Sequence, residues 1–326
     1  MRKLIITICL IFCFTTNVHA ESYCVMSGND GTVTKEKDMH ETQSVASISK
    51  IMTALIAIEQ GNLNDTWVIS DDVLKINGSS VYLIPKETVT LEALLYGLML
   101  RSGNDTAHEI ALCISGSEEA FVKEMNEKAK ILGMNDTLFR NPSGLDEEDG
   151  GNISSAYDMA LLMRYAMNNE TFSKIVSSEY YDFKKGVRWK NKNKLLFTYD
   201  KTTGGKTGFT KRAGRTLVTS ASNDDTRSIV VSLNMGNDFA FHEKSHEELF
   251  EQYVAYVILK AGLYHISNHT FVIEQTLQIL LSKTETTQLE VHTKVENHTL
   301  IIEVNKDGEL QTYTYEGTAD KGGWFS

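Results

Sequence analysis

The stretch S44-V-A-S-I-S-K-I-M-T-A-L-I-A-I-E-Q-G61 decides the reading of the fold. From Ser47 onward, Ile48, Ile51, Met52, Ala54, Leu55, Ile56, Ala57 and Ile58 cover most of a helix circumference, the pattern of a segment buried on nearly every side. Such a helix needs other elements all around it, so the chain around it must be mostly helical or layered. Yet Lys50 sits in its first turn, three residues after Ser47. Ser49, Thr53 and Gln60 mark a narrow polar stripe along which that lysine could snorkel to water. The alternative is chemical. A serine at a helix N-terminus lies beside free backbone N–H groups, and a buried lysine loses its charge readily. A neutral amine one turn away can then take the hydroxyl proton and make Ser47 a nucleophile.

Outward from this stretch the chain changes texture twice. Tyr23–Met26 and Thr32–Lys35 flank Gly28-Asn29-Asp30-Gly31, a hairpin signal. Thr90 caps a helix over Leu91–Leu100, and a third begins near Asn104. Ser117 caps a fourth, with Phe121, Met125, Ala129 and Leu132 on one face, and Ser155 with Asp158 forms a capping box for Ala156–Met167. Residues 47–176 are therefore mostly helical. Gly208–Thr210, Arg215–Ser220 and Ser228–Leu233 then read as an antiparallel meander, closed by a helix from about Phe241 to Lys260. Helices enclosed between an early hairpin and later strands imply one α+β domain over 21–262, with the hairpin joining the later sheet. Gln288–Val295, Thr299–Val304 and Glu309–Tyr315 alternate as strands, so 263–326 reads as a small all-β C-terminal domain.

Composition narrows the compartment and the partners. Apolar residues make up 41% of the 326 and charged ones 23%, which permits a sizeable core. Arg2 and Lys3 precede an apolar run that ends at Val18-His19-Ala20, so residues 1–20 read as an export signal; a retained membrane anchor is the alternative. A lipoprotein signal fits less well, because Phe12 precedes Cys13. Loss of the signal takes the formal net charge from −11 to −13, which argues against a nucleic-acid partner. Cys24 and Cys113 then remain, either as a disulfide or as two buried thiols.

Two further motifs carry chemistry. In RSGNDTA, Ser102-Gly103-Asn104 lies in a turn between helices, where either polar side chain could simply cap the next helix. In GGKTGFTKRAG, Lys206-Thr207-Gly208 opens a strand whose lysine could merely keep an edge soluble. The functional reading is that Gly208 lets an extended peptide approach the strand edge while the Phe209 N–H donates to an oxyanion. Ser47-Ile48-Ser49-Lys50, Ser102-Gly103-Asn104 and Lys206-Thr207-Gly208 together resemble, in order and context, the motifs of the active-site serine penicillin-binding enzymes. ASISKIMTA, RSGNDTA, NPSGLD and GGKTGFTKRAGRTLV are similar to the low-molecular-weight D-alanyl-D-alanine carboxypeptidases, over residues 22–262 or so.

That resemblance implies a helical subdomain packed on an antiparallel sheet, in the manner of DD-peptidases and β-lactamases. The site would lie between them, removing the terminal D-alanine from peptidoglycan pentapeptide stems without metal or organic cofactor. It implies Ser47 as nucleophile, Lys50 as base, and Ser102 and Asn104 as proton relay and substrate-amide contacts. Lys206 and Thr207 would meet the terminal carboxylate, with the N–H groups of Ser47 and Phe209 as oxyanion hole. It also implies covalent inhibition by β-lactams and an exported, extracytoplasmic enzyme, with peripheral membrane or cell-wall association open. Lys206 near Lys50 would lower the latter's pKa further. Thr210 and Arg215 are additional carboxylate candidates, although Arg215 could equally face outward.

Ser44-Val45 replaces a proline common in relatives, Ser143 stands where many have histidine, and no arginine occurs among Asn237–Phe241. His242-Glu243-Lys244-Ser245-His246 matches a zinc-peptidase pattern but lacks a clear third ligand, so a solvated helix face is the default. A β-lactamase would need a deacylating E-x-x-L-N motif between Asn104 and Lys206, and none is present. A catalytically silent wall-binding scaffold would not require all the catalytic residue types. Gly322–Ser326 is too short for a C-terminal amphipathic anchor.

Overall fold

The computed structural model describes residues 20–147 and 150–319. The export-signal reading and the Gly322–Ser326 segment lie outside the described residues. Among the described residues no helix is long and apolar enough to cross a membrane.

The hairpin does join the later strands. Ser22–Ser27 pairs antiparallel with Thr226–Leu233, and the five-stranded sheet runs Val33–Lys37, Ser22–Ser27, Thr226–Leu233, Gly214–Asn223, Thr202–Thr210. Alternation along its strands sends residues to two cores. Cys24, Met26, Val218, Ile229 and Val231 face the large helical core, while Val25, Ala221 and Val230 face a smaller one with Leu249 and Phe250. The helix Lys50–Gln60 runs through the middle of the large core, with Lys50 to Ala57 all buried. Lys50 is 0% exposed, so it does not snorkel.

Caps behave as read at Thr90, Ser117 and Ser155, each accepting from the N–H three residues on. The box at Ser155 is half formed, because Asp158 turns away to accept from the Asp136 N–H and the Thr137 hydroxyl. The helix begun at Leu91 holds only to Tyr96; Gly97–Arg101 widens into a π-helical turn, ending at Ser102 with φ 63°.

The expected helix Phe241–Lys260 is corrected. The helix is Asp238–Gln252, and Tyr253–Leu259 is a strand paired with Leu277–Ser282. Its Tyr-Val-Ala-Tyr-Val-Ile-Leu sequence is rich in aromatic and β-branched residues, and Ile258 and Leu259 pack in the C-terminal β core with Phe271, Ile279 and Ile302. That module is all β, with a five-stranded antiparallel sheet besides this ribbon. Cys24 and Cys113 are free thiols, both pushed up to about 12 by burial.

Candidate active site

The turn that carries Ser47 precedes the helix rather than opening it. Ala46–Ser49 forms one 3-10 turn, entered through Ala46 at φ 49°, a left-handed conformation that non-glycine residues rarely hold. It is held from behind. Gly144, at φ 76°, packs so closely on the Ala46 carbonyl that a methyl would overlap it, and Ser49 donates to that same carbonyl at 2.7 Å. The Asn141 carboxamide oxygen fixes this support by accepting from the Ser143 and Gly144 N–H groups.

Lys50 reaches three oxygens from its buried position: Ser47 Oγ at 3.1 Å, Asn104 Oδ1 at 2.8 Å, and the Ser143 carbonyl. A neutral amine has two hydrogens and one lone pair. Asn104 and Ser143 can only accept, so they take the two hydrogens and leave the lone pair facing the Ser47 hydroxyl. Burial lowers Lys50 to about 7, with Lys192 adding to the fall. The Asn-Pro-Ser-Gly-Leu segment thus does touch the first motif, through the Ser143 backbone.

Asn104 does not cap its helix, and nor does Ser102. Asn104 spends Oδ1 on Lys50 and donates from Nδ2 to the Asn77 carbonyl at 2.7 Å. Ser102 Oγ accepts from Lys206 Nζ at 2.9 Å, and Lys206 donates also to the Thr207 carbonyl at 2.6 Å. Lys206 is enclosed, and burial, then the charges of Lys50 and Lys192, hold it well below the ordinary lysine value. Repulsion between Lys50 and Lys206 is mutual, as expected from the sequence, and Lys192, which the sequence does not single out, acts on both.

Lys206-Thr207-Gly208 lies on Thr202–Thr210, the outermost strand, paired on one side only with Gly208 opposite Thr216. A methyl on Gly208 would overlap Thr216 Oγ1 and come within 3.0 Å of the Ser47 nitrogen. Glycine there lets the strand lie directly against the Ser47 turn. The cleft between them, about 300 Å³, is lined by Ser47, Ser102, Thr207, Gly208, Phe209 and Arg215 among others. Phe209 projects at the rim, 67% exposed. Thr210 is not in the cleft wall; its hydroxyl accepts from the Ala213 N–H and closes the strand turn.

Five lining residues were not found by sequence reasoning: Ser79, Lys192, Lys194, Asp238 and Phe239. Lys192 and Lys194 come from a polar segment with no motif of its own, Lys192 lying 3.5 Å from Ser79 Oγ. Ser79 belongs to the loop that also carries Asn77. Asp238, nearly buried, binds both Nε and Nη2 of Arg215 and fixes that guanidinium at the cleft rim. Arg215 is therefore a cleft residue, although its strand position points it away from the helical core.

The zinc pattern is corrected too. His242 and His246 are both fully buried, not solvated. Thr219 Oγ1 lies 2.7 Å from His242 Nδ1 and 2.8 Å from His246 Nε2, while Ser232 and Ser228 meet the outer nitrogens at 2.8 Å each. Every ring nitrogen is engaged by a sheet hydroxyl, and Glu243 lies on the opposite, exposed face.

Residues 13–237 match the peptidase S11 family, described as D-alanyl-D-alanine carboxypeptidase. The chain belongs to this family of serine hydrolases. It is 35% identical over 267 residues to D-alanyl-D-alanine carboxypeptidase DacF of Bacillus subtilis, covering 74% of this chain and 68% of that one. It also resembles the crystal structure of a D-alanyl-D-alanine carboxypeptidase from Mycobacterium tuberculosis, at 30% identity and TM-score 0.65 over 71% of this chain and 89% of the other. Penicillin binding protein 5 of Haemophilus influenzae shares the fold over more of the molecule, at 23% identity and TM-score 0.74, covering 92% of this chain and 96% of that chain. Family membership gives the family's reaction and its place of action, the peptidoglycan of the cell wall.

Proposed function

We propose that the chain removes the terminal D-alanine of peptidoglycan stem peptides through an ester on Ser47, with these residues in these roles. The observation that carries the reading is the Lys50 amine, enclosed and lowered to about 7, with its lone pair directed at Ser47 Oγ. That amine takes the hydroxyl proton as Ser47 Oγ bonds to the carbonyl carbon of the penultimate D-alanine. The N–H groups of Ser47 and Phe209 face the developing oxyanion, each such donor contributing about 3 kcal/mol in the transition state. As the C–N bond breaks, the proton passes to the departing amine, with the Ser102 hydroxyl and Asn104 completing the hydrogen-bonded wall. Water then cleaves the ester by the same route in reverse.

Carboxylate recognition falls to the Thr207 hydroxyl and the Asp238-tethered Arg215. Lys192 and Lys194 make the rim positive, and Lys206 stands behind Ser102. A β-lactam presents the same reacting carbonyl and would acylate Ser47, as the penicillin-binding name of the Haemophilus relative suggests. Export guided by residues 1–20, a catalytic unit ending where the helix Asp238–Gln252 ends, and a following β module that holds the enzyme at the wall complete the proposal.

The test is mass spectrometry of the intact protein after incubation with a β-lactam, followed by a peptide map. The adduct should sit on Ser47 and vanish in Ser47→Ala without loss of fold. A Ser47→Ala protein that still released D-alanine at the wild-type rate would sink the reading.

A further inference from the structure

A larger cavity than the active-site cleft lies farther along the same sheet. It holds about 490 Å³ at the end of the strands where Thr203, Ser220 and Arg227 meet the helices carrying Arg164 and Lys174. Thr203 is four residues before Thr207 on the edge strand, so the two sites are separated by about 13 Å of strand.

Its chemistry is one-sided. In a chain of 43 acidic residues, no acidic residue lines it, whereas Arg164, Arg227 and Lys174 do, with seven serine or threonine hydroxyls. Neither arginine pairs with a carboxylate among the described residues. Arg164 donates from Nη2 to the Asn29 carbonyl at 3.1 Å, and its Nε is buried with no partner. Arg227 donates from Nη1 to the Asn168 side-chain oxygen at 2.9 Å. Asp30 binds the Thr32 hydroxyl and the Thr32 and Leu280 N–H groups. Burial and then the neighbouring Arg164 charge hold Arg227 below the ordinary arginine value, so these cations are close enough to repel. Two arginines that line one cavity with no carboxylate between them are an arrangement that a doubly charged oxyanion would relieve.

We propose that this cavity is a second ligand site, which binds a phosphate monoester between Arg164 and Arg227. A phosphate monoester carries close to two negative charges at neutral pH and three terminal oxygens, matching two guanidiniums and the flanking hydroxyls. A carboxylate offers one charge and two oxygens. Met167 and Ile229 supply an apolar wall for a small organic body attached to the phosphate.

The experiment follows the methyl NMR signals of Met167 and Ile229 in the full chain. Sodium phosphate, glycerol 3-phosphate and sodium acetate are titrated separately, each against sodium chloride at equal ionic strength. The two phosphates should shift both methyls saturably, and Arg227→Gln should weaken that binding about tenfold or more, as loss of a charged hydrogen bond implies. Arg164→Gln should act likewise; because Arg164 also holds the Asn29 carbonyl, Arg227→Gln decides the matter if the other variant does not fold. Unmoved methyls, acetate binding as tightly as phosphate, or wild-type affinity in Arg227→Gln would overturn the site. The β-lactam acylation rate, measured on the same samples, should be unchanged in Arg227→Gln; that readout tests the Ser47 chemistry independently.

Discussion

Lys50, as the proposed base, would set both the chemistry and its pH response. Only the neutral amine can accept the Ser47 proton, and its value near 7 places the change within the physiological range. The β-lactam acylation rate should rise about tenfold per pH unit below about 7 and level off above it, as stopped-flow measurement would show. A flat profile from pH 5 to 8 would contradict this. Gly208 works by what it lacks. Gly208→Ala would push the edge strand off the Ser47 backbone, and such a displacement should slow acylation by the folded protein on the order of 100-fold, with some loss of melting temperature from the overlap with Thr216. Arg215 is the residue to separate binding from chemistry: Arg215→Ala should raise KM for a D-Ala-D-Ala peptide about tenfold with kcat nearly kept, consistent with loss of one charged contact.

At the scale of elements, the helix Asp238–Gln252 carries a liability in acid. His242 and His246 are buried and neutral, with burial the main cause of a depressed value for each, to about 3 for His246. The unfolded chain therefore takes up protons at the ordinary value near 6.5, before the folded one does. Stability is full above that pH and falls below it, by about 1.4 kcal/mol per pH unit for each imidazole until the folded value is reached. Urea midpoints from pH 7 to 5 should show this slope, and His246→Gln should reduce it by about half, leaving the share of His242. This helix also marks what the sequence did not disclose. His-Glu-Lys-Ser-His reads as a solvated face because its partners, Thr219, Ser228 and Ser232, belong to strands whose hydroxyls could not be known to point inward. Tyr253–Leu259 reads as helix because its apolar residues suit either period, and the choice is made by pairing with Leu277–Ser282, 18 to 29 residues later. By contrast, the meander, the hairpin and the three motifs were legible, since each rests on local turn chemistry or on residue types that bury badly without a reason. Lys192 had no such signal; it becomes a site residue only when its chain returns to the Leu100 carbonyl.

Across the whole molecule, the β module is bonded to the catalytic part well away from Ser47. Leu280 completes the core behind the main sheet with Val25, Val230 and Phe250, its N–H donates to Asp30, and Asn29 donates to Gln278. Leu280→Ala should lower stability by about 2–5 kcal/mol in urea unfolding and leave the acylation rate of the folded protein unaltered. An altered rate without a stability loss would place the module in the reaction itself. The candidate cleft, for its part, is built on an edge strand of the sheet, next to Gly208. A guest laid along that border is recognised first through its main chain, so alternate residues of the guest would point to water and pass unread. Discrimination then concentrates at the reacting end, where chirality and the free terminus are gripped. The architecture thus favours an enzyme tolerant of variety upstream in its substrate and strict about the last two residues.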